Sequence, residues 1–304
     1  LAQCDLVRAE RERMSFYELK RFSEGLFFVV FDTPDRVQHM FWRFRDPAHP
    51  YYDRGRAPEF ARSVEEHYRR YDDLLARVLE HVDEHTLLIV LSDHGFNTFR
   101  RGFHVNTWLV ENGLMALKDG KKPDAALGEN FSAVDWSRTH AYALGLGGVY
   151  LNVKGREGAG TLEEGAEAER ARRAIVGGLT GIADAATGRK AINSVSRRDE
   201  IYSGAHAAAS PDLLVNYAPG FRVSWQTALG GMPHGLFEDN TRRWSGDHII
   251  DPETVPGILL MNRNGAGPLA AGHYPDIRDL APTVLSYLGV PKGAQMEGQS
   301  LLQD

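Results

Sequence analysis

Two short apolar runs, with one amphipathic stretch between them, limit the folds open to this chain. Residues 26–32 and 86–91 are apolar segments of strand length, and each is followed at once by polar residues. Such runs are typical of strands that are covered on both faces of a parallel sheet. Apolar residues recur every three or four positions over 64–81, which predicts an amphipathic helix. Strand, helix and strand in this order indicate a right-handed βαβ unit.

The later part of the chain contains further elements of the same kind. Residues 211–215 and 256–261 predict two more strands, and residues 279–288 predict a last helix ended by glycine and proline. We therefore expect an α/β fold with a doubly wound, mostly parallel sheet that is flanked by helices.

The predicted elements divide the chain into a core and an insertion. We expect residues 1–117 to form the first part of the α/β core and residues 241–304 to form its C-terminal part. Between them, residues 118–240 are rich in glycine and polar side chains, which predicts an irregular cap or insertion.

Composition excludes several classes of partner. A net charge of −6 argues against nucleic acid, because neutralising a phosphate backbone needs a basic surface. The longest apolar run, residues 26–31, is too short to span a bilayer, so no membrane partner is evident. A single cysteine, Cys4, excludes an internal disulfide and does not indicate export, so we expect a cytoplasmic protein.

Metal-ligand residue types follow the two predicted strands. Asp35 and His39 come after the first strand, and a spacing of four would place both on one helix face, able to grip one ion. Asp93 and His94 come after the second strand, where Gly95 lets the chain turn. Taken alone, the first pair also fits a helix cap with a structural histidine, and the second pair also fits a simple turn.

A third candidate, His248, lies shortly before the predicted strand at 256–261. A lone histidine is more often structural than a ligand, and Asp247 could cap a turn or orient this imidazole. Together, two aspartates and three histidines at sheet edges form a nitrogen and oxygen ligand set suited to zinc or manganese. We expect the other histidines to be structural or surface residues: His49, His67, His81, His85, His104, His140, His206, His234 and His273.

Three short motifs occur in a fixed order along the chain. They are Pro-Asp-x-x-x-His ending at His39, Ser-Asp-His-Gly around Asp93, and Gly-x-His ending at His248. This order resembles the metal-binding motifs of the alkaline phosphatase superfamily. The likeness extends to residues 71–75 on the intervening helix and to residues 279–290, which are typical of the last helix of that superfamily. The type I phosphodiesterase/nucleotide pyrophosphatase branch is the most similar in pattern.

The resemblance implies a hydrolase of phosphate esters that uses two divalent metal ions, zinc in the first place and manganese as the alternative. Its substrate would be a small phosphorylated molecule with a phosphodiester or nucleotide pyrophosphate bond. By position, Asp35, His39 and His248 would hold one ion. Asp93 and His94 would hold the other, together with an upstream aspartate and a nucleophilic Thr or Ser. That hydroxyl would attack phosphorus and give a covalent phospho-enzyme that water resolves.

The sequence departs from the family pattern at the nucleophile. The hydroxyl candidates before Asp35 are Ser15, Ser23 and Thr33, and none of them follows a predicted strand and opens a helix. We therefore expect this chain to be the C-terminal portion of a longer enzyme, inactive alone, with the missing N-terminal segment as its partner. The resemblance is also poor over residues 118–240.

Other functions share parts of this pattern. Phosphomonoesterases, phosphoglycerate mutases and sulfatases of the same superfamily have the same ligand types, although the Cys/Ser-x-Pro-x-Arg motif of sulfatases is absent here. A relative that binds a ligand without catalysis is a further alternative. A purely structural metal fits less well, because structural zinc sites are usually closed and rich in cysteine.

Overall fold

The chain is a mixed α/β protein with several separate sheets. The computed structural model describes residues 1–262 and 274–302. In these ranges the α-helices are α1 (Ala2–Leu19), α2 (Thr33–Phe41), α3 (Ala57–Phe60), α4 (Ser63–Leu79), α5 (Val105–Glu111), α6 (Ala166–Leu179), α7 (Arg198–Ile201), α8 (Trp225–Ala228) and α9 (Leu280–Tyr287). The strands are β1 (Ile89–Leu91), β2 (Asn97–Phe103), β3 (Ala141–Leu144), β4 (Gly148–Leu151), β5 (Ala183–Asp184), β6 (Arg189–Lys190), β7 (Ile192–Arg197), β8 (Leu213–Tyr217), β9 (Gly220–Val223), β10 (Phe237–Asp239), β11 (Gly246–Asp247) and β12 (Leu259–Met261).

A first compact unit is built from the described residues of Leu1–Phe41, Glu59–Gly95 and Pro256–Asp304. It contains α1, α2, α4 and α9, and its sheet is the antiparallel pair of β1 and β12. The helix predicted over 64–81 is confirmed as α4, which buries Val64 and Leu74. The last predicted helix is confirmed as α9. Helical periodicity was a sufficient guide here because each helix buries one face.

The strand predicted over residues 26–32 is not formed in the described part of the chain. Three alternate side chains of this run are largely exposed: Leu26 at 61%, Phe28 at 73% and Val30 at 55%. The carbonyl of Val30 accepts a hydrogen bond from Arg11 Nη1 at 2.8 Å instead of joining a strand ladder. An apolar run predicts a buried strand only where neighbouring chain covers both of its faces.

The doubly wound parallel sheet is therefore not confirmed. Among the strands of the described ranges, every pairing is antiparallel except that of β2 with β9. The predicted strand at 86–91 forms as β1, but its partner is β12, with Leu91 opposite Leu259. The βαβ unit expected from the sequence thus lacks its first strand.

A second compact unit comprises Trp42–Pro58 and Phe96–Val255. Its main sheet has the strand order β3, β4, β8, β7 and packs with α5 and α6 around a continuous apolar core. The strand predicted at 211–215 is confirmed as β8. In a second sheet, β2 lies between β10 and β11 and also pairs with β9. This sheet carries the segment that leads into His248.

The helices give no sign of a membrane span. Within residues 1–262 and 274–302, none is both long enough and apolar enough to cross a bilayer.

Candidate metal centre

Helix α2 holds the first predicted ligand pair on one face. Asp35 lies in its first turn and His39 follows four residues later, so the two side chains are one turn apart. Asp35 Oδ1 lies 3.3 Å from His39 Nε2. The imidazole is 2% exposed, whereas the carboxylate is 40% exposed. One anionic oxygen and one imidazole nitrogen at this distance are a suitable half of a zinc or manganese site.

The start of α2 is held by a buried hydrogen-bond network with α4. Thr33, the first residue of α2, is 1% exposed, and its Oγ1 lies 2.6 Å from the hydroxyl of Tyr71. The same oxygen is 3.1 Å from His67 Nε2. Burial is the main cause that lowers the pKa of His67 to about 4, so this ring is neutral near pH 7. Because Thr33 precedes Asp35 by two residues, the network sets where the ligand helix begins.

From the sequence, His67 is expected to be a structural or surface residue, with no link to Thr33. The spacing of His67 and Tyr71, four residues apart on α4, was the available signal that both could meet one partner. Only the packing of α4 against α2 showed that the partner is Thr33.

The second predicted pair follows β1 directly. Asp93 Oδ1 lies 3.6 Å from His94 Nε2, and the carboxylate is 71% exposed. His94 Nδ1 lies 3.0 Å from the carbonyl oxygen of Gly95, within hydrogen-bond distance. In the part of the chain that the structure describes, Asp93 and His94 do not belong to a cluster of three potential ligands.

His248 lies in the second unit, at the end of β11. Strand β11 pairs with β2, so that Asp247 lies opposite Asn97. The ring of Phe96 contacts the imidazole of His248 edge to face, with centroids 5.3 Å apart and planes at 64°. Phe96 is in turn stacked on Trp42 at 6.0 Å. The imidazole is thereby placed by an aromatic neighbour as well as by its strand.

Asp247 is buried and contacts the backbone of His248. Its Oδ1 accepts hydrogen bonds from the amides of His248 at 2.8 Å and Ile249 at 2.9 Å. Its Oδ2 accepts the indole N–H of Trp244 at 2.8 Å and a hydrogen bond from Arg222. Burial raises the pKa of Asp247, but the charge of Arg222 and these hydrogen bonds outweigh it, and the pKa lies below its ordinary value. Asp247 is therefore an ionised carboxylate that holds the backbone amides of the turn at His248 through hydrogen bonds.

The five predicted ligands thus fall in both compact units. The first unit holds two pairs of neighbouring side chains, Asp35 with His39 and Asp93 with His94. The second unit holds His248. Of the histidines expected to be structural or surface residues, His273 lies outside the described residues.

Comparison with known proteins decides the family. The sequence model for the type I phosphodiesterase / nucleotide pyrophosphatase family matches residues 6–248, well over half of the chain. The chain belongs to this family. The type I phosphodiesterase / nucleotide pyrophosphatase family is part of the alkaline phosphatase superfamily, so the resemblance seen in the motif order is confirmed. No curated protein is significantly similar to the chain.

Membership has direct consequences for chemistry. Phosphodiesterases and nucleotide pyrophosphatases are hydrolases, and the family typically depends on divalent metal ions. All five predicted ligands lie inside the matched residues, with His248 as the last residue of the match.

Proposed function

We propose that this chain is the metal-binding portion of a hydrolase that cleaves phosphodiester or nucleotide pyrophosphate bonds in a small phosphorylated substrate. The observation that carries the proposal is the family match over residues 6–248, because this range includes every predicted ligand. The α2 pair supports it independently, since its two donor atoms already lie 3.3 Å apart.

For the metals, we assign Asp35, His39 and His248 to one divalent ion and Asp93 with His94 to a second. The donor set fits zinc first and manganese second, because it combines imidazole nitrogens with carboxylate oxygens and contains no thiolate. A bound ion would supply charge neutralisation at the phosphoryl group and lower the pKa of an attacking hydroxyl. The residues of this chain would hold the ions and fix their positions.

For the nucleophile, we propose a hydroxyl in a segment that precedes Leu1, so that this chain alone is inactive. Thr33 carries the hydroxyl nearest in sequence to the α2 ligands, but the residue is 1% exposed and its hydroxyl is hydrogen-bonded to both Tyr71 and His67. The hydroxyl of Ser15 donates a hydrogen bond to the carbonyl oxygen of Arg11 within α1. Neither environment is suited to attack on a substrate.

The same preceding segment would complete the sheet. Leu26, Phe28 and Val30 are exposed apolar side chains in a run that the sequence predicts as a buried strand. A strand laid beside this run would pair with its backbone and cover part of that apolar surface.

The test compares a diester with a monoester on the longer protein and on this chain. Bis-p-nitrophenyl phosphate and p-nitrophenyl phosphate report the two activities after zinc or manganese loading. We expect faster turnover of the diester by the longer protein, loss of turnover in Asp35→Ala, and no turnover by this chain alone. Asp72→Ala, which removes an exposed carboxylate on α4, is the matched control.

The possible outcomes separate the alternatives. A preference for the monoester would move the protein to the phosphomonoesterases. Binding of a phosphorylated ligand by the metal-loaded longer protein without turnover of either substrate would favour a non-catalytic relative and contradict the proposal.

A further inference from the structure

Arg222 is an arginine buried where its charge must be compensated. It lies on β9, its side chain is 2% exposed, and its ion-pair partner Asp247 is 1% exposed. A buried guanidinium is costly unless it is paired and hydrogen-bonded. The pair therefore links two strands of the second unit, β9 and β11, directly before His248.

The guanidinium of Arg222 has its orientation restricted from several sides. Its central carbon lies 4.1 Å from the ring centroid of Trp225 and 4.7 Å from that of Phe99. Its Nε donates a hydrogen bond to the carbonyl of Val223 at 3.1 Å. A planar group that packs against two rings and donates a hydrogen bond from Nε presents Nη1 to Asp247 in one direction.

Asp247 transmits this fixed direction to the backbone. Arg222 and the indole of Trp244 hold Oδ2, whereas the amides of His248 and Ile249 hold Oδ1. Because the two oxygens belong to one planar carboxylate, fixing Oδ2 also fixes the oxygen that receives the two amides. The position of the His248 imidazole in space follows from the position of this turn.

We propose that Arg222 is a positioning residue for His248, acting through Asp247. The role in metal binding rests on the proposed function, because it requires His248 to be a ligand. The role in ordering the turn does not depend on any metal. The competing explanation is a buried ion pair that stabilises the second unit without favouring any part of it.

The first measurement is amide hydrogen exchange on the metal-free protein, resolved residue by residue by NMR. Arg222→Met keeps an apolar stem but removes the charge, and Arg222→Lys keeps the charge but loses the planar fork. We expect the amides of His248 and Ile249 to exchange at least about tenfold faster in the Met variant than in the parent, relative to unrelated amides, with a smaller increase in the Lys variant. If the Met variant does not fold, the Lys variant decides the question.

A second buried carboxylate in the same unit provides the matched control. Asp212 is paired with Arg156 and accepts the amide of Leu151 at 2.8 Å. Arg156→Lys should speed exchange at Leu151 and leave the amide of His248 unchanged. Equal effects of the Arg222 and Arg156 variants on the His248 amide would indicate general destabilisation and overturn the proposal, as would unchanged exchange at His248 in the Arg222 variants.

The second measurement is zinc affinity by calorimetry. We expect Arg222→Met to weaken binding by about tenfold to a hundredfold, as for residues that orient a metal-binding side chain, and Arg156→Lys to leave it unchanged. His248→Ala is measured beside them. If His248→Ala leaves zinc affinity unchanged, the proposed ligand set is wrong, and hydrogen exchange alone decides whether Arg222 orders the turn. If His248→Ala weakens binding but Arg222→Met does not, only the positioning role in metal binding is overturned.

Discussion

His39 Nε2 lies 3.3 Å from Asp35 Oδ1, one turn along the same face of helix α2. The imidazole is almost completely buried and the carboxylate is partly open to solvent, so the pair has a fixed inner donor and an accessible outer one. This arrangement follows from a spacing of four residues in a helix. It is the part of the candidate site that depends least on distant segments of the chain.

Loss of the outer donor should abolish tight metal binding. We expect the protein to retain one zinc ion after loading and dialysis, and Asp35→Ala to lower zinc affinity by more than about a hundredfold, beyond the effect of residues that only support a ligand. Elemental analysis and calorimetry measure the zinc content and affinity. Asp72→Ala is the control, because it removes one carboxylate and so changes the net charge by the same amount. Equal zinc content in the Asp35 variant and the parent would show that Asp35 is not a ligand.

The buried hydroxyl at the start of α2 should be important for stability. Thr33→Val keeps the shape but leaves the Tyr71 hydroxyl and His67 Nε2 without their shared partner. Leaving buried polar groups unpaired should lower the free energy of unfolding by about 1–3 kcal/mol, measured by urea denaturation. Thr86→Val is the control, because Thr86 donates to Asp83 at an exposed position where water replaces the lost bond. Similar losses in both variants would contradict a special role for the network.

The stability of the protein should fall in mild acid because of His104. Burial lowers the pKa of this side chain to about 4, whereas an unfolded histidine titrates near 6.5. Between these values the unfolded state binds a proton that the folded state does not. The free energy of unfolding therefore decreases as the pH falls through this window, by about 3 kcal/mol in total for this group, and levels off below it.

Denaturation at several pH values checks this expectation. His104→Asn can keep a hydrogen bond to Ser224, which His104 Nδ1 contacts at 2.7 Å, but it cannot titrate. The slope of stability against pH should drop by the contribution of one proton in this variant. An NMR titration that places the pKa of His104 near its ordinary value would overturn the prediction.

Gly257 should be intolerant of any side chain. A Cβ at this position would lie 2.3 Å from the carbonyl oxygen of Ser92, the residue before Asp93. Gly257→Ala should push β12 away from β1 and lower the free energy of unfolding by about 1–3 kcal/mol. Gly177→Ala is the control, since a Cβ on this α6 glycine meets nothing within 4 Å and should stabilise the helix by about 0.5–1 kcal/mol. An unchanged free energy of unfolding in Gly257→Ala would show that the backbone can move to accommodate the methyl group without cost.

Local features of this protein could be predicted from the sequence alone. The helix at 64–81 and the last helix formed where periodicity placed them, as α4 and α9. The pairing of Asp35 with His39 also follows from spacing. Each of these depends on residues within one or two turns of each other, so the chain needs no distant partner to define them.

Strand pairing depended on distant contacts that apolar runs do not specify. Residues 26–31 carry the composition of a buried strand, yet Phe28 is 73% exposed and no ladder forms there in the described chain. Residues 86–91 do form a strand, but its antiparallel partner β12 lies far along the sequence. A run of apolar side chains indicates that a segment is more stable when it is buried, but it does not indicate which other segment buries it.

The sequence by itself therefore determined the family, the order of the ligand motifs and the helix that holds the first pair, because these are encoded in short stretches of neighbouring residues. The tertiary structure alone decided that Thr33 is bonded to His67, and that Arg222 reaches Asp247 from 25 positions away. Such links arise when separate segments pack against each other. Buried polar groups then take whichever partners the packing brings within hydrogen-bond distance.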